Sequence, residues 1–345
     1  MAKAAHNTKT TGSGGPALIF PLIFPPISSL TFPLLFLLPA LVACAACSVV
    51  SPAWANGAGE PEVTRLVLDE ARLRWSALSF KGNKLLVSVV AGADLRKVPR
   101  AELSGTLVEP ARGRPVQAGD DTVFLIDFHS RSLRKHLRNR LWFRAGDGAA
   151  LQRSRLELTR GEERYKQFRY TEEGIFIIRR KPAGGEVERP PASWSRISKE
   201  FVSYPPTFAG EQAVSDPLAL FYVASVREFA APGDTLQLLA YFDDALQVIT
   251  LRYEGEERVD ADFELQGRGG VHRIKGQRTV LRLVLSSRPL DQGLAGERGR
   301  DGVTLAGLRR PVLLIDRQWR FPLALRGRHK VVGKVDVRLG KAVLK

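Results

Sequence analysis

The feature that most constrains this chain is a charge-free run, Pro217–Val226, set in a sequence that otherwise reads almost entirely as strand. Ser215 or Asp216 can cap a first helical turn. Pro217 suits the first helical position, because its missing N–H would have no partner there. A helix that is apolar all round belongs in a core rather than on a surface. The segment 216–229 is therefore expected to form one buried helix, roughly 20 Å long at 1.5 Å per residue.

The sequence around it predicts short strands. Val123–Phe128 and Ile175–Ile178 are compact and apolar, too short for helices. Phe80–Lys84 reads as a hairpin turn followed by a strand over Leu85–Val90, and Glu109–Asp120 reads as a loop. Asp234–Phe242 and Leu246–Tyr253 flank Asp243-Asp244-Ala245, a hairpin signal, and Thr279–Ser286 is a further strand. Ser287–Arg310 reads as a Gly/Arg-rich loop. In the last strand Val331, Gly333, Val335, Val337 and Leu339 alternate with Val332, Lys334, Asp336 and Arg338. The fold class expected is mainly β, a curved antiparallel sheet or barrel-like architecture protecting its edges, with the helix at about 216–229 buried inside. Three regions follow: 1–55, an export signal or N-terminal membrane anchor; 56–190, a β region; and 191–345, the helix with a second β region. Lys181–Pro191 is a linker candidate, but the helix needs apolar partners from both regions, so one composite fold is expected.

Residues 1–55 set the expected compartment. Lys3 and Lys9 precede a charge-free, apolar stretch from Ala17 to Val50, the layout of an export signal. Ala53-Trp54-Ala55 offers a cleavage site before Asn56. Leu41-Val42-Ala43-Cys44 offers a lipidation site at Cys44, and an uncleaved anchor is the third outcome. All three place the remaining chain in the periplasm or on the cell envelope, which argues against nucleic acid as a partner. Cys44 and Cys47 are the only cysteines, so the exported part has neither disulfide nor thiol chemistry and is held by its core alone. The net charge of +16 favours anionic partners, here lipid head groups or acidic glycan.

Asp216–Tyr222, Pro232–Leu236, the turn and strand Asp316–Leu323, and Gly333–Val337 together resemble a bacterial family known as domain of unknown function 3108. Tyr165–Ile178 is similar to the strand–turn–strand that precedes that family's helix. The resemblance spans about Leu141–Leu339. It implies an exported envelope protein with a curved antiparallel sheet or barrel, with no established activity and no catalytic residues to carry over; no cofactor is expected.

The strongest chemical signal is an acid-free basic run holding Arg131, Arg134, Lys135, Arg138, Arg140 and Arg144 with Trp142 and Phe143. Arginine forks suit phosphate or carboxylate, so these six residues are the candidate anion-binding set. The alternative is a solvated edge on which positive charge discourages strand pairing. A second basic region, Arg317–Lys345, carries nine Lys or Arg against Asp336 alone. His129, His136 and Asp127 make a poor metal set without cysteine, so no metal is expected. Ser130 beside His129 lacks the G-x-S-x-G elbow of a hydrolase. Gly267-Arg268-Gly269-Gly270 lacks the lysine and the following helix of a phosphate loop. The leading expectation is a non-enzymatic envelope protein that binds a lipid or anionic amphiphile in a β-sheet cavity. The alternative is a structural or assembly partner that docks its basic surface on envelope protein or glycan. An envelope hydrolase is the third reading. The sequence leaves the oligomeric state open.

Overall fold

The computed structural model describes residues 66–345, apart from 85–86, 133–134, 160, 209, 211, 243, 292–303, 306–307 and 330–332. The expectations for 1–55, including Cys44, and most of the 287–310 loop lie outside the described residues. The protein is mainly β, and its described residues form fifteen strands in one sheet.

The first eight strands are β1 (Trp75–Lys84), β2 (Val87–Val98), β3 (Val123–Ser132), β4 (Lys135–Arg144), β5 (Ala150–Thr159), β6 (Arg164–Tyr170), β7 (Gly174–Lys181) and β8 (Arg196–Ser203). They form an antiparallel wall in which each strand pairs with the next. The remaining seven are β9 (Thr235–Phe242), β10 (Ala245–Gly267), β11 (Gly270–Pro289), β12 (Thr304–Leu305), β13 (Leu308–Asp316), β14 (Pro322–His329) and β15 (Gly333–Leu344). Strand β15 joins the two groups. One of its edges pairs with β1; along the other, residues 333–338 pair with β14 and residues 341–343 pair with β10 in parallel. That parallel contact closes β10, β11, β13, β14 and β15 into a ring of five strands. Strands from both expected β regions thus share one sheet, and Lys181–Pro191 joins the paired strands β7 and β8.

One expectation needs correction here. Phe80–Lys84 is not a turn: β1 runs through it, and Gly82 pairs with Val89. A side chain there would meet Val337 Cγ2 at 3.2 Å, so the glycine serves the close approach of β15. A short helix the sequence reading missed, α1 (Arg100–Thr106), follows β2. Its Leu103 covers a small second core with Val98, Val123, Leu125, Trp142 and Leu151 on the outer face of the wall.

The central helix is present but shorter than 216–229. A 3₁₀ turn at Pro217–Ala219 leads into α2 (Leu220–Val226), and Arg227 turns extended at φ −72° and ψ 135°. At 1.5 Å per residue this spans about 15 Å. Asp216 caps it by accepting from the Leu218 N–H at 3.0 Å. Every residue of α2 is buried, as its lack of a polar face requires. Phe221 stacks on Phe128 and leans on Phe80, while Tyr222 packs on Phe124 and Phe143. The Trp75 indole donates to Ser225 Oγ at 2.9 Å, and the Tyr222 hydroxyl donates to the Ala145 carbonyl at 2.9 Å. On the far side the Ser215 N–H donates to the Leu239 carbonyl in β9, and Arg320 of the β13–β14 turn donates to the Ser225 carbonyl. The sheet therefore wraps around the helix, and both groups of strands feed one core.

Candidate functional site

Strand alternation divides the expected basic set. Leu141 and Phe143 face the helix, so their neighbours on β4 at alternate positions point outward. Arg138 and Arg140 thus stand on the outer face with Arg131, whose β3 neighbour Phe128 faces in. Lys135 stands on the inner face. The six residues do not make one surface, and Arg134 lies outside the described residues.

The outward arginines are also largely neutralised. Arg138 grips Asp127 through Nε at 2.9 Å and Nη2 at 2.6 Å, and Arg140 Nε reaches the same carboxylate at 2.9 Å. Burial works against the charge of Asp127, but the two arginines outweigh it and hold the carboxyl below its ordinary value. Asp94 is the cross-strand neighbour of Asp127, and burial is the main cause that pushes its carboxyl up. Arg144 is bound by Asp147 and lies 3.6 Å from Asp121. Arg131 forms no ion pair among the described residues. His129 lies over Gly92, where a Cβ would come within 2.4 Å of its ring.

The inner face carries charge that the sequence reading did not single out. Glu157, almost fully buried, receives Lys135, Arg155 at 3.3 Å and Arg164 at 2.9 Å. Burial opposes its ionisation, yet Arg164, Lys135 and Arg155 bring its carboxyl down to about 2. Nearer the helix, Arg153 donates to Asp216 at 2.6 Å and lies 4.0 Å over the Phe168 ring, while the Tyr170 hydroxyl donates to Asp216 at 2.9 Å. The ring region repeats this device. Buried Asp316 accepts from Arg278 Nε at 3.0 Å and from the Gln318 and Trp319 N–H groups at 2.8 Å, and Arg278 lies 4.2 Å over the Trp319 ring. Asp216 caps the helix and Asp316 the β13–β14 turn, each buried and held by an arginine. Arg169 is buried too. It donates to the carbonyls of Val108, Val116 and Leu151, tying down the expected loop over 109–120, and burial lowers its guanidinium to about 10.

The ring holds a cavity of about 290 Å³ to which all five of its strands contribute. Val259, Ala261, Phe263, Leu314, Leu323 and Leu339 give it apolar walls, and Asp260, Asp262, Lys275, Arg326 and Arg338 bring charge to it. Arg326 pairs with Glu257 at 2.7 Å and Arg338 with Asp336 at 3.0 Å. Lys275 forms no ion pair among the described residues. Gly267–Gly270 is the β10–β11 turn at one end of this ring. The basic residues of 317–345 are thus spread over a turn and two strands, several of them paired.

Among the described residues no three His, Cys, Asp or Glu are grouped to hold a metal ion, and no helix is long and apolar enough to cross a membrane. No family model, no curated protein and no solved structure matches the chain.

Proposed function

We propose that this chain is an exported envelope protein without catalytic activity that holds the apolar part of an anionic amphiphile in the five-strand ring. Membership of the domain of unknown function 3108 family belongs to this reading and rests on the residues quoted for it. The observation that carries it is the ring cavity, which joins apolar walls to a charged rim. Its volume sits at the lower edge of the roughly 300–1,000 Å³ typical of ligand sites, enough for one chain rather than several. Lys275, which lines the cavity opposite Asp262 and forms no ion pair among the described residues, meets the acidic head. Export follows from residues 1–55, whose charge and hydropathy layout fits a secretory signal.

The test is native mass spectrometry of the protein produced in a Gram-negative host, followed by calorimetric titration with lauric acid. A retained amphiphile, or laurate binding that Ala324→Trp abolishes by filling the cavity, supports the reading. A ligand-free mass together with no heat of laurate binding overturns it. The same mass spectrum reads the mature end: a lipidated Cys44, a chain starting at Asn56, or the full sequence.

A further inference from the structure

The inner face of the wall contains an arrangement that a sheet avoids unless something else is present. Arg155 in β5 is the direct cross-strand partner of Lys166 in β6, and Lys166 is the direct partner of Arg179 in β7. Direct partners project from the same face about 5 Å apart, and like charges placed so repel one another. The face is the one that carries the helix, because Arg153, two residues before Arg155, reaches Asp216 at the helix cap. Arg155 spends one nitrogen on Glu157 and Arg179 is bound by Glu200. Lys166, half-buried between them, forms no hydrogen bond or ion pair among the described residues. Burial and then Arg179 hold its ammonium below its ordinary value, Arg155 and Arg164 add to this, and Asp244 pulls the other way. Five cations meet here, Lys135, Arg155, Arg164, Lys166 and Arg179, and among the described residues Glu157, Glu200, Asp244 and Glu162 act on them.

We infer that the ladder Arg155–Lys166–Arg179 is a binding site for a phosphate group. A phosphate monoester brings close to two negative charges at neutral pH and three acceptor oxygens, one for each cation of the ladder. The two guanidinium forks can each face a pair of oxygens while the ammonium between them acts as a point charge. A carboxylate brings two oxygens, too few to face all three cations of the ladder at once. The site lies on β5, β6 and β7, shares no residue with the ring cavity, and stands or falls independently of it.

Thermal unfolding of the protein in inorganic phosphate, against sodium chloride and sodium acetate at matched ionic strength, tests this. At ten times the dissociation constant, phosphate should raise the Tm by about 3 °C over both other salts. Lys166→Gln should unfold at a higher temperature than the parent in chloride, because it removes the repulsion, and should lose the phosphate increment. Lys199→Gln, on the opposite face of β8, should keep that increment. Co-sedimentation with vesicles containing phosphatidic acid, lost in Lys166→Gln, identifies the phosphate as a lipid head group. A phosphate response without vesicle binding identifies a soluble phosphoester. Equal effects of phosphate, acetate and chloride overturn the site, as does a Lys166→Gln variant that responds to phosphate like the parent.

Discussion

The wall of β1–β8 and the ring of β10, β11, β13, β14 and β15 solve the same problem in different ways. Both are built mainly of antiparallel pairs, and both have one apolar face to bury. The ring curls until β10 meets β15, so it covers much of that face with itself, Phe263 packing edge-on against Trp319 and Phe321. The wall does not close, and β8 is left as an edge, mostly exposed along its length. It relies on a separate object, the buried helix, to fill its concavity. Closure makes a region self-sufficient and leaves a small space inside it. An open wall depends on its plug, and its polar inner rim stays accessible beyond the end of that plug.

That difference predicts unequal responses to damage. Phe221→Asp places an unpaired charge against Phe80 and Phe128 in the region that needs the helix most. It should cost at least about 4 kcal/mol, seen as a large drop in the urea midpoint. A small drop would mean that the wall does not depend on its plug. Phe263→Ala in the ring should cost about 3 kcal/mol. Amide exchange should then speed up in β10, β11 and β13–β15 while the wall amides stay protected. Uniform acceleration would show that the two regions open together.

The smallest effect concerns the inner rim of the wall. The Glu157 carboxyl is held at about 2 against an ordinary 4.5. Its folded value is depressed, so its contribution is present above pH 4.5 and is lost as the pH falls toward 2. Glu157→Gln should flatten the stability profile between those values and leave Lys135, Arg155 and Arg164 without their shared anion. An unchanged slope would remove Glu157 from the account of acid sensitivity.

The helix and the strand content were legible because their signals are local. Pro217 after Asp216 marks a start, and a charge-free run that follows it has nowhere to go but inside. Its end was not legible: nothing in Arg227–Phe229 forbids another turn, and it is the extended conformation of Arg227 that stops it. Helix α1 escaped notice because only Leu103 in it is buried, which gives no period to detect. The lower half of β10, from Glu254 to Gly267, looks polar enough for a loop, and its alternation becomes meaningful only when β11 and β15 are beside it. The basic run misled for the same reason. Its residues are contiguous in sequence, but a strand sends them to two faces, and their counter-ions, Asp127 and Glu157, come from neighbouring strands. The ladder Arg155–Lys166–Arg179 draws on three strands and therefore has no sequence signature at all.

Strand β15 has three neighbours, β1, β14 and β10, and this fixes the order in which the molecule can be built. Its pairing with β1 joins Trp75 to Leu344 and Phe80 to Leu339, contacts of very high sequence separation. Such contacts make folding slow, since the loop entropy is lost before the contact is gained. Until β15 has been synthesised, the ring is unclosed and β1 is a second bare edge, so the nascent chain shows unpaired apolar strands at both. A chain with this topology gains its ring closure and its longest-range pairings only when its last strand is in place.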